Sequence, residues 1–115
     1  MFNPSNIVPT EDALRVVERA WQSKIAGVQI DTYVSRTKPS IHLAFINIPE
    51  DKRQAGIGTE IMREVVAVAD QFDCAIKLTP FEGFGTPFDV LEKFYESFGF
   101  EWVLEDIMVR VPATA

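Results

Sequence analysis

The sequence predicts a single α/β (α+β) domain over residues 1–115, a mixed sheet with helices on both faces. Three observations carry that reading. Segments of helical periodicity alternate with strand-like runs, in the order helix, two strands, helix, strand, helix, two strands. Residues 41–48 are almost continuously apolar, as expected of a central strand covered on both faces. Of the 115 residues, 47% are hydrophobic, and 13.0 kDa is enough for one core but not for two.

The elements follow from local pattern. The first nine residues, with Pro4 and Pro9, read as an irregular lead-in with a short strand at Ile7-Val8. Thr10 is placed to cap a helix whose first turn carries Glu11 and Asp12, as the helix dipole prefers. Leu14, Val17, Trp21 and Ile25 give it one buried stripe, and Gly27 ends it. Val28, Ile30, Thr32 and Val34 alternate with polar neighbours and Tyr33, the period of a half-buried strand. Lys38-Pro39-Ser40 makes the next turn, and Pro49 stops the apolar strand. A second helix spans residues 57–72, with Ile61, Val65, Val68 and Phe72 on its stripe. Residues 75–79 form a short strand. Thr86, Pro87 and Asp89 read as N-cap, first helical position and third-position acid of a third helix, which Gly99 terminates after Phe98. Residues 100–104 and 107–111 form a hairpin turning at Glu105-Asp106.

Composition excludes several classes of function. A net charge of −6, from 11 basic and 17 acidic residues, argues against general nucleic-acid binding and favours cationic partners. A lone Cys74 rules out an intrachain disulfide framework, and a lone His42 rules out a His-rich metal site; no metal is expected. No apolar run reaches membrane-spanning length and the first residues lack a secretory pattern, so a cytoplasmic protein without a membrane partner is expected.

Most of the chemical information lies in Arg53-Gln54-Ala55-Gly56-Ile57-Gly58-Thr59, between the apolar strand and the second helix. Glycines there let backbone amides converge, and the helix N-terminus adds positive potential, so the loop suits phosphate oxygens; Lys52 and Arg53 add charge at the rim. The absence of a third glycine excludes a dinucleotide fingerprint, and the absence of Gly-Lys-Ser/Thr excludes a triphosphate loop. Read without context, two glycines before a helix describe a tight, closely packed turn before they describe a phosphate site.

Arg53-x-x-Gly56-x-Gly58 after such a strand resembles the acyl-coenzyme A loop of the GCN5-related N-acetyltransferase (GNAT) superfamily. About forty residues on, Phe94-Tyr95 ahead of Gly99-Phe100 resembles its second signature, and the likeness runs over residues 41–112. The resemblance implies a mostly antiparallel GNAT-like sheet with a shortened N-terminal region, and a compact size similar to phage-encoded acetyltransferases. It implies acetyl transfer from acetyl-CoA, as acyl-donor co-substrate, to a primary amine on a small molecule or a protein. It implies that Ile46, Asn47 and Ile48 hold the pantetheine arm and polarise the thioester. It further implies that Arg53, Gln54, Ala55, Gly56, Ile57, Gly58 and Thr59 hold the pyrophosphate, and that Tyr95 protonates the leaving thiolate. Phe88 stands where many members place a cofactor-contacting asparagine.

Several residues carry two readings. Tyr95 suits core packing as well as proton donation. His42 reads as structural, and Cys74 as an inert packed thiol. Asp31, Glu50, Asp51, Glu82 and Glu101 are candidate bases for the acceptor amine. The Gly-rich stretch 81–88, with three phenylalanines, is either a lid or a loop tucked on the core. Aromatics there or on the first helix offer a partner or homodimer surface. The alternative to catalysis is a GNAT-like interaction or inhibitor module with a vestigial CoA site.

Overall fold

The structure is a computed structural model and describes residues 7–35, 40–53, 55–82 and 85–113. The lead-in through Asn6, the expected turn at Lys38-Pro39, the loop residue Gln54, and Gly83-Phe84 lie outside the described residues. The elements are α1 (Ile7–Lys24), β1 (Gln29–Val34), β2 (Ser40–Asn47), a short 3-10 turn (Glu50–Lys52), α2 (Ile57–Gln71), β3 (Ala75–Leu78), α3 (Phe88–Glu96), β4 (Glu101–Trp102) and β5 (Met108–Arg110). Their order is the one the periodicity predicts.

Two starts differ from the sequence reading. There is no strand at Ile7-Val8, because α1 already begins at Ile7. Ile7, Thr10, Leu14 and Trp21 form one buried stripe, which extends the amphipathic pattern a turn earlier than Thr10. Pro9 falls in the first turn, where a missing N–H leaves no helical bond unmade. Thr10 is therefore no cap; it is fully buried, with its hydroxyl bonded to the Cys74 thiol. At α3 the N-cap is Pro87, one residue later than expected, and no side chain caps this helix end. Past Glu96 the chain continues as a turn closed by Gly99, whose φ of +93° glycine adopts without steric cost.

The sheet order is β1-β2-β3-β5-β4, with β2 and β3 parallel and the other neighbours antiparallel. Ile41 and Ile76 face each other across β2 and β3, and Leu78 faces Met108 across β3 and β5; all four are buried. Helices α1 and α2 pack together, and the Trp21 indole N–H donates to the Glu64 carboxylate of α2. Asp70 of α2 accepts two bonds from Arg110 of β5, at 2.8 and 3.1 Å, which ties helix to sheet.

β2 is not covered on both faces. On the face opposite Ile41, half-buried His42 stacks on exposed Tyr33, with ring centroids 4.5 Å apart. The second half of β2 is exposed at Ala44 and only half-buried from Phe45 to Asn47. Its continuous apolarity has another cause. Asp31 pairs with Phe45 but Thr32 with Leu43, so Ala44 is an extra residue on β2, a β-bulge. β3 pairs with β2 only at Ser40, Ile41 and His42. Beyond that point no ladder joins the two strands, and apolar residues line the space between them.

Candidate active site

That space is a cleft of about 60 Å³. Leu43 to Ile46 form one wall, Leu78, Thr79 and Phe81 the other, and Thr86, Leu91 and Tyr95 close it. The Ile30 amide donates to Glu18 rather than to β2, so the Ile30–Ile46 pair is a non-hydrogen-bonded one. The backbone of Ile46 therefore points away from β1, into the cleft, with no β3 partner. Asn47 and Ile48 are differently engaged. Asn47 donates to the Gln29 side chain at 3.1 Å, and the Ile48 carbonyl accepts from Arg53 Nε at 2.7 Å.

At the open end of β2 the chain turns into α2. Gly56 is the N-cap with φ +78°, a left-handed conformation costly to any residue with a Cβ, and no side chain caps the helix. The amides of Ile57, Gly58 and Thr59 accordingly have no helical acceptor, and the first helical bond closes from Glu60 N to Gly56 O. Gly58 needs no such conformation: its backbone is helical, and a Cβ there would lie 3.5 Å from Ile48 Cδ1 and 3.8 Å from Phe94 Cζ, in ordinary contact. Arg53 folds back over β2, since Nη2 also reaches Asn47 Oδ1 at 3.3 Å, and shapes the loop as well as charging its rim. Ala55 and Lys52 are exposed.

Tyr95 is half-buried on α3, its ring packed edge-on against Phe94 and Phe100 at centroid distances of 5.4 and 5.6 Å. Burial pushes its phenol pKa above the ordinary value, so the hydroxyl stays protonated at neutral pH. The structure thus brings Ile46 and Tyr95 into the lining of one cleft, whereas Asn47, Ile48, Arg53 and Ala55 to Thr59 lie outside that lining, toward the open end of β2. His42 lies outside the cleft lining; burial first, and Lys77 second, lower its pKa and keep the ring neutral. Burial raises the Cys74 pKa, against the Thr10 hydrogen bond, which suits a packed thiol.

Among the described residues, none of Asp31, Glu50, Asp51, Glu82 and Glu101 lines the cleft. Phe81 and Thr86 of the Gly-rich stretch do line it, whereas Phe88 stacks on Trp102 at 5.8 Å. Thr79 and Leu91 have no functional role in the sequence reading; their only signal is position, at a strand end and one turn before Tyr95. No group of three or more metal-ligating side chains occurs among the described residues, and no helix among them is long and apolar enough to cross a membrane.

No protein-family model and no curated protein matches the chain. Solved structures do. The anti-CRISPR protein AcrVA5 aligns with a TM-score of 0.60 at 20% identity, over 74% of this chain and 90% of that one. Ard1 from Thermoplasma volcanium gives 0.58 at 14% identity, over 98% and 95%. Arabidopsis thaliana Naa50, in complex with the bisubstrate analogue CoA-Ac-MVNAL, gives 0.50 at 20% identity, over 71% of this chain and 60% of that one.

Proposed function

We propose that this chain, which has the GNAT fold, transfers an acetyl group from acetyl-CoA to a primary amine. One observation carries the reading: β2 and β3 part at the Ala44 bulge, leaving a cleft with Tyr95 in its lining and an uncapped helix start at the open end of β2. The CoA-containing bisubstrate complex of Naa50, a protein of similar fold, supports acetyl-CoA as the donor.

Acetyl-CoA is the donor substrate; its thioester brings an acyl group already activated for direct attack by an amine. The Ile57, Gly58 and Thr59 amides, with Ala55 and Gly56 setting the turn and Arg53 bracing it, hold the pyrophosphate. The cleft-facing backbone of Ile46, beside Asn47 and Ile48, pairs with the pantetheine amides, and its N–H polarises the thioester carbonyl. The amine attacks in its neutral form. Tyr95, held protonated, gives its proton to the departing sulfur and is reprotonated by water, which takes up the proton the amine nitrogen loses as the amide forms. The reaction uses no metal.

Calorimetric titration with acetyl-CoA, followed by turnover against a panel of amines, tests this. One-site binding with turnover is expected; folded protein that shows no binding at millimolar ligand would refute it. The stacking of Phe88 on Trp102, at a position where many family members contact the cofactor, favours a second reading, a non-catalytic interaction module. Binding without turnover across the panel would decide for that module.

A further inference from the structure

A second opening, an open groove of about 620 Å³, runs between α1 and the outer edge of β1. β1 is the terminal strand of the sheet, so that edge pairs with no strand among the described residues. The ladder fixes which backbone groups it presents. Ser35 N donates to Ser40 O, and Tyr33 and Asp31 occupy the hydrogen-bonded positions opposite His42 and Phe45. Ile30, Thr32 and Val34 therefore turn their N–H and C=O groups outward, into the groove. α1 already covers part of this edge: Glu18 accepts from the Ile30 amide at 3.1 Å, and Gln22 donates to the Val28 carbonyl at 3.2 Å. Thr32 and Val34 lie beyond those two contacts. Protected over one half and open over the other, the edge has room for a short extended segment.

The charge of the groove selects what enters. Among the described residues, its lining holds three carboxylates, on Glu11, Glu18 and Asp31, and one guanidinium, on Arg15. Asp31 and Tyr33 are exposed on the outer face of β1, and Tyr33 offers an aromatic surface that is 57% exposed. We propose that this edge binds an extended, arginine- or lysine-rich peptide segment of a partner protein as a sixth strand of the sheet. Main-chain bonds to Thr32 and Val34 supply the register. Cationic side chains at alternate positions lie beside Asp31 and over the Tyr33 ring. A second copy of the chain suits the slot poorly, because two chains of net charge −6 would oppose acidic edges. Docking here is independent of acetyl transfer.

The probe is a seven-residue peptide of alternating valine and arginine, blocked at both ends, so that it contains no primary amine and cannot act as an acceptor. Fluorescence anisotropy should show saturable binding with or without acetyl-CoA, and amide chemical-shift changes should concentrate at residues 29–34 and Glu18. Two N-methylated versions, each blocking one alternate set of peptide amides, discriminate the mode. One should lose binding and the other keep it, because only one set faces β1. Asp31→Lys, at an exposed position, should weaken binding about tenfold with an unchanged Tm. Equal binding by both N-methylated peptides would reduce the contact to unspecific charge attraction and overturn the proposal. So would shifts that map elsewhere, or a dimer formed through β1 that the peptide cannot displace.

Discussion

Gly56 and Gly58 stand two residues apart in the same loop, yet only Gly56 has a backbone that calls for glycine, and alanine at each separates the two. At Gly56 nothing lies within 4 Å of an added Cβ, but φ is +78°. Alanine there meets no neighbour and suffers only the left-handed backbone, about 1–2 kcal/mol. Unfolding entropy of about 2.1 cal/mol/K per residue over 115 residues gives about 0.24 kcal/mol/K, so Tm should fall by about 4–8 °C. At Gly58 the backbone is helical and the new methyl makes ordinary contact with Ile48 and Phe94. Replacing a helical glycine by alanine there should leave Tm unchanged or raise it by a few degrees, since alanine is favoured by about 1 kcal/mol. Scanning fluorimetry of both variants, with and without acetyl-CoA, is the assay. Gly56→Ala should also lose most of the stabilisation by ligand, because relaxing φ moves the amides that follow it. A Gly56→Ala variant within one degree of wild type, beside a Gly58→Ala variant that drops, would refute the assignment of the left-handed turn to Gly56 and of a methyl-tolerant helical position to Gly58.

Tyr95→Phe keeps the ring contacts with Phe94 and Phe100, so folding and acetyl-CoA affinity should survive while kcat falls about ten- to a thousandfold; an unchanged kcat under chemistry-limited conditions would remove Tyr95 from the mechanism. Asp70 has its pKa lowered chiefly by the Arg110 hydrogen bonds, so the unfolded chain protonates more readily than the folded one. Its contribution is present above the ordinary aspartate pKa of about 4 and is lost as pH falls through the lowered value. Asp70→Asn should cost about 1–3 kcal/mol at pH 7 and flatten the loss of urea stability between about pH 5 and 3; an equally steep acid loss in the variant would locate that loss in other carboxylates.

The helical stripes, the element order and the Gly56 turn were legible because each depends on residues close in sequence. Leu14 and Trp21 specify a helix face wherever the helix goes, and a glycine before a helix signals its own conformation. The start of α1 was not legible. Pro9 and the short apolar pair before it mimic a lead-in, while the contact that buries Thr10 comes from Cys74, 64 residues later. Nearness to strand ends makes the five carboxylates candidate bases, but strand ends do not report side-chain direction. β2 misled in a more instructive way. Unbroken apolar sequence fits two-sided burial, yet it also fits a strand whose alternation is reset by one inserted residue.

That inserted residue connects fold and site. Leu43 is buried and Ile46 packs against the same core, although they are three apart, a spacing that puts side chains on opposite faces of a regular strand. Both reach the core because the bulge at Ala44 shifts the alternation between them. The same shift moves the ladder toward β1: on one side of it His42 holds the hydrogen-bonded position, on the other Phe45, an odd step that leaves Ile46 turned toward the cleft. With regular alternation the cleft-facing backbone group would belong to Phe45, and Ile46 would leave the core. The core contacts of Ile46 therefore stabilise the register that exposes its amide. The feature on which the proposed chemistry depends most is held in place by ordinary apolar packing rather than by any residue of the loop or of α3.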